Sequence, residues 1–127
     1  MFLATINKKR RLLHVSYIGH VQSKELLEGV EELKEWLGDL PPRFRLLVDF
    51  EHLNKMDAEA AAALEGLMEA LDKGGMSLVV RVIPDPSKDI GVNILGVFHY
   101  RKGMRTVTCQ TFEQVVRALE KDMEKNA

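Results

Sequence analysis

Hydrophobic and polar positions alternate at both ends of the first twenty residues. Phe2, Ala4 and Ile6 alternate with Leu3, Thr5 and Asn7, and Leu13, Val15 and Tyr17 alternate with His14, Ser16 and Ile18. A period of two predicts two half-buried strands, and the Lys8-Lys9-Arg10-Arg11 run between them predicts a hairpin with a basic turn. That turn reads as a solvated tip that also discourages edge pairing, in preference to a phosphate contact. From Ser23 the period changes to that of a helix. Leu26, Leu27, Val30, Leu33 and Leu37 form a stripe, with Glu28, Glu31, Glu32 and Lys34 opposite. Ser23 is the expected cap, Gly38 ends the helix, and Pro41-Pro42 leads on in extended form. Trp36 falls off the centre of the stripe and reads as half-buried packing in preference to an exposed contact.

The segment from Arg45 to Leu71 organises the middle of the chain. Leu46, Leu47 and Val48, closed by Asp49, predict a strand buried on both faces. A polar loop over Glu51–Lys55 follows, and a helix is expected to begin at Asp57, whose carboxylate suits an N-cap. Its apolar face is Ala61, Leu64, Leu67, Met68 and Leu71, and the Ala60–Ala63 run leaves room for another backbone or ligand to come close. Gly74-Gly75 stops it before a β-branched strand, Leu78–Ile83. Pro84–Ser87 reads as a turn. Ile90, Ile94, Val97 and Phe98 then repeat at helical spacing, in a helix weakened by Gly91 and Gly96 by about 1 kcal/mol each. A strand over Thr106–Cys109 precedes a last helix that buries Phe112, Val115, Val116, Leu119 and Met123 and opens on a Thr111/Gln114 capping-box pattern.

The order β-β-α-β-α-β-α-β-α predicts a single α/β domain spanning residues 1–127. One mixed sheet is expected, an N-terminal antiparallel hairpin plus three parallel strands, packed with helices. A loop just past the carboxyl end of a buried parallel strand is where such sheets usually place a site.

Size and charge narrow the function classes. The 127 residues suffice for a single real core, and 46% apolar with 29% charged residues is an ordinary globular balance. A formal net charge of −1 gives no whole-molecule case for nucleic acid. No apolar run is long enough to span a bilayer, and the basic cluster follows the first apolar residues, the reverse of a signal peptide. With one cysteine, Cys109, these features lead to a cytoplasmic expectation.

The Leu46–Leu64 segment resembles the STAS domain, whose best-known members are bacterial anti-sigma-factor antagonists. In that family a hydrophobic strand ending in Asp leads to an Asp-Ser-Ser/Thr-Gly helix start, and a partner kinase phosphorylates the second hydroxyl residue. Asp49 matches the strand-end Asp and Asp57 the helix-start Asp. Ala58 stands at the first hydroxyl position, Glu59 at the phosphoacceptor and Ala60 at the glycine. With no Ser or Thr between Val48 and Leu71, the loop lacks the familial phosphate switch. Glu59 either imitates a modified state with one charge where a phosphoryl group brings nearly two, or is an ordinary acidic first-turn residue.

The resemblance implies a non-enzymatic regulatory module whose protein partner meets Asp49, Glu51, His52, Asn54, Asp57, Ala58 and Glu59, with a homodimer also compatible. The long first helix and missing acceptor look more like a divergent STAS/Sec14-like branch. That leaves open a carrier of a lipid or small apolar ligand, with Ile90, Ile94 and Phe98 as its gate. Chemistry proper is sparse. His14, His20, His52 and His99 show no metal-ligand spacing, so no metal, cofactor or catalytic residue is assigned. His52, beside Asp49 and Glu51, reads as a loop or partner contact in preference to a general base, because no nucleophile accompanies it. Cys109 reads as inert packing.

Overall fold

In the computed structural model, residues 1–83 and 105–125 are described. The elements are β1 (Phe2–Asn7), β2 (Leu12–Tyr17), β3 (Gly19–Val21), α1 (Ser23–Trp36), a 3-10 turn (Leu37–Asp39), β4 (Arg45–Asp49), β5 (Leu53–Met56), α2 (Ala60–Lys73), β6 (Leu78–Val82), β7 (Thr106–Cys109) and α3 (Phe112–Lys125). Five strands form the main sheet in the order β1-β2-β4-β6-β7. β1 and β2 are the expected antiparallel hairpin, and β2, β4, β6 and β7 run parallel. Arg11, at the end of the basic turn, adopts φ 53°, a left-handed conformation in which the chain reverses.

The sheet is covered on two sides by different helices. Leu13, Val15, Leu46, Val48 and Val79 point to one face, against Leu26, Val30 and Leu33 of α1 and Leu64, Leu67 and Leu71 of α2. Leu47, Leu78, Val80, Val82 and Cys109 point to the other, against Val115, Ala118 and Leu119 of α3. Both faces of β4 and β6 are withdrawn from water, which accounts for the apolar runs Leu46–Val48 and Leu78–Val80.

A buried ion cluster fastens α3 to the sheet. Asp122 is 3% exposed and accepts hydrogen bonds from Arg45 Nε and, at 2.9 Å, from Arg105 Nη1. Arg45 Nη1 also donates to the Arg10 carbonyl oxygen at 3.0 Å. Burial pushes the Asp122 carboxyl up, but the hydrogen bonds and charges of the two arginines outweigh it and hold the group below the usual carboxylate range. One carboxylate therefore ties α3 to the starts of both β4 and β7.

Several local expectations need correction or refinement. Gln22, not Ser23, occupies the cap position of α1, and its own side chain makes no capping bond. The polar loop after β4 contains a strand, β5, paired in parallel with β3 as a separate two-stranded sheet. The α2 helix starts at Ala60 with Glu59 in the cap position, not at Asp57. At α3, Gln114 N–H donates to Thr111 Oγ1 at 3.3 Å, but Gln114 Oε1 accepts from Gln110 N–H at 2.7 Å, so the box closes one residue early. Phe112 and Val116, expected to be buried, are exposed, because Val115 and Asp122 take the face toward the sheet. Trp36 is 37% exposed at the end of α1, between packing and free surface.

Candidate functional site

The carboxyl end of β4 is shaped by a short-range bond and a long-range one. Asp49 Oδ1 accepts the Glu51 N–H at 2.8 Å, closing a side-chain-supported turn. Phe50 N–H continues the ladder to the Val82 carbonyl at 3.0 Å. The Phe50 ring is fully buried and stacks on Tyr17, with centroids 5.4 Å apart and planes inclined by 13°. Burial pushes the Tyr17 phenol up, so it stays protonated. The loop therefore leaves a rigid anchor.

From there the chain is pinned to β3. Leu53 N–H donates to the Phe50 carbonyl at 3.1 Å, and Gly19 N–H donates to the His52 carbonyl at 2.8 Å. Gly19 sits at φ +69°, where a side chain would be strained. The register shifts between Gly19 and His20, after which His20 opposes Lys55 and Val21 opposes Met56. β5 buries Leu53 and Met56 and turns Asn54 and Lys55 to solvent.

Asp57 closes the arrangement. Its N–H donates to the Val21 carbonyl at 3.3 Å, its Oδ2 accepts the Ser23 N–H at 3.1 Å, and its Oδ1 lies 2.9 Å from His20 Nε2. The carboxylate thus serves the first turn of α1, a helix 34 residues earlier, where the sequence suggested it would serve α2. The bond from His20, followed by that from Ser23, lowers the Asp57 pKa, with the charges of His20 and Lys55 in support. Ala60 N–H meanwhile finds the Asp57 carbonyl at 2.9 Å.

Of the sequence-predicted residues, Glu51, His52, Asn54, Ala58 and Glu59 share one exposed stretch, with Asp49 and Asp57 half-buried as its supports. His20 and Lys55 join them through the β3–β5 pairing, which no local pattern announces. His14 lies elsewhere on β2, 3.2 Å from Ser16 Oγ. Among the described residues no three His, Cys, Asp or Glu side chains gather to hold a metal ion, and no helix is long and apolar enough to cross a membrane. Ile90, Ile94 and Phe98, the expected ligand gate, lie outside the described residues.

Similarity to known proteins resides in the fold. No protein-family model matches the sequence, and no curated protein matches it. The anti-sigma factor antagonist SpoIIAA in its unphosphorylated form superposes with a TM-score of 0.64 at 16% identity, covering 94% of this chain and 98% of that one. This chain has a STAS-like fold. Phosphorylated SpoIIAA of Bacillus, a cell-fate determinant, gives 0.61 at 15% identity over 93% and 99%. A DUF3478-family protein of Shewanella loihica with a SpoIIAA-like fold gives 0.61 at 13% identity over 94% and 92%. In this STAS-like frame the 50–59 stretch occupies the end of the parallel sheet where ligands of open α/β folds commonly bind.

Proposed function

We propose that this STAS-like chain is a non-enzymatic regulatory module of the bacterial cytoplasm that binds a partner protein through residues 50–59. The observation that carries this reading is the exposed stretch itself: Glu51, His52, Asn54, Lys55, Ala58 and Glu59 face solvent on a backbone held by β3 and by Asp57. A preformed polar surface loses little entropy on binding, which favours recognition without rearrangement. Its carboxylates outnumber its cations, so the complementary partner surface is basic. The likeness to an anti-sigma factor antagonist supports the same class of activity. Glu59, with one fixed negative charge at the start of α2, makes that interaction independent of a kinase.

The test is native mass spectrometry of the tagged protein gently isolated from its own cells. A stoichiometric second protein, lost in Glu59→Arg while circular dichroism is unchanged, is the expected result. Retention of that protein by Glu59→Arg overturns the assignment of the surface. A discrete small-molecule adduct in place of a protein, retained when α3 carries Val116→Asp, selects the competing reading, a carrier gated by Ile90, Ile94 and Phe98.

A further inference from the structure

The face of the sheet under α3 is only half covered by described residues. Val115, Ala118 and Asp122 turn toward the sheet over β4, β6 and β7, whereas on β1 the same face leaves Leu3 50% exposed, with Thr5 and Asn7 beside it. Register places Leu3, Thr5 and Asn7 opposite Ser16, His14 and Leu12 of β2. Between that half and α3 runs a groove of about 310 Å³. Its apolar wall is Val116, Leu119 and Met123, successive positions of one α3 stripe, and Leu12 faces them from β2.

The polar groups around the groove carry a definite sign. Arg10 lines the groove, on the same turn as the exposed Lys8, Lys9 and Arg11, and no described carboxylate pairs with its guanidinium. Arg45 also lines it, sharing Asp122 with Arg105, so that two arginines face one carboxylate. The opposing charge on the rim is Glu120. Positive charge is therefore in surplus around the groove.

We propose that this groove binds a single-chain amphiphile with an anionic head, namely a free fatty-acid carboxylate. The alkyl chain lies along Val116, Leu119 and Met123, removing their apolar surface from water, and the carboxylate meets the Arg10 guanidinium in a charge-assisted hydrogen bond. The volume lies at the small end of the range for small-molecule sites, which suits one alkyl chain with its head group. The groove lies at the first residues of β2 and β4, whereas the 50–59 surface follows the last residue of β4. The two sites are independent.

Calorimetric titration of the purified chain with sodium dodecanoate, below its micelle-forming concentration, tests the proposal. Saturable one-to-one binding is expected. Arg10→Gln should weaken it about tenfold, the scale of a charge-assisted hydrogen bond, and Glu120→Gln should tighten it several-fold. Val116→Asp, at a position already 40% exposed and so tolerant of a polar side chain, should abolish it. Circular dichroism of each variant should match the parent. Absence of saturable binding overturns the proposal, as does survival of binding in Val116→Asp. A tightening with Arg10→Gln and a weakening with Glu120→Gln would show a cationic ligand site and overturn it equally. Attachment to phosphatidylglycerol vesicles without binding of the monomeric acid would assign the basic turn to a membrane surface instead.

Discussion

His20 and Asp57, 37 residues apart in sequence, meet at 2.9 Å between Nε2 and Oδ1, and the same carboxylate holds the Ser23 amide. The contact joins the strand entering α1 to the segment entering α2. It replaces a local helix cap with one that exists only when both segments are in place.

Acid should weaken this junction. The folded-state pKa of Asp57 lies below its unfolded value, so its contribution is fully present above about pH 4 and disappears as pH falls through the lower, folded value. Asp57→Asn should lower stability at pH 7 and flatten the loss of stability on acidification. Urea titrations of both proteins between pH 7 and pH 3 measure it, and parallel curves would refute the assignment.

Asp122→Ala should cost about 3 kcal/mol, because it strands the buried Arg45 without its carboxylate. Thermal melts monitored by circular dichroism should show a clear fall in Tm. Asp122→Asn should fall in between, since an amide oxygen still accepts a bond from an arginine. A fall below about 0.5 kcal/mol for Asp122→Ala, typical of an inert surface change, would remove the cluster from the stability of α3.

Gly29 lies where a Cβ would run into the Phe2 ring, which in turn packs at 5.4 Å on Tyr17. Gly29→Ala should destabilise by about 1 kcal/mol, the overpacking cost exceeding the gain in helix propensity. In a Phe2→Ala background the same change should stabilise by about 1 kcal/mol, the propensity term alone. The double-mutant cycle in urea reads the sign reversal, and additive effects would contradict the close approach.

Cys109 is 2% exposed, and burial pushes its thiol up. Its reaction with a thiol-specific disulfide reagent at pH 8 should be slow in native buffer and rapid in denaturant. A fast native reaction would mean that β7 opens readily.

Elements with strong periodicity were legible in the sequence. LLVD announces a strand buried on both faces, LVVRV a β-branched one, and the Leu26–Leu33 and Leu64–Leu71 stripes announce two helices. β3 and β5 were not legible, because three- and four-residue strands bearing His20, Asn54 and Lys55 show no alternation and exist through each other. The sequence marks Asp57 as a cap of α2, the neighbouring helix, because capping patterns are local and the bond to Ser23 spans 34 residues. Phe112 and Val116 counted as core because a stripe shows which residues are apolar and cannot show where the covering surface ends. The exposed residues at 51–59 were nameable in advance, but the backbone that presents them was not.

The pairing of β3 with β5 makes the 50–59 segment a handle and not a flap. Only Gln22 separates β3 from α1, and Asp57 grips the first amide of that helix. A pull on the segment is therefore passed to α1, and through Leu26, Val30 and Leu33 to the core beneath it. Load applied at the rim is delivered to the centre of the molecule.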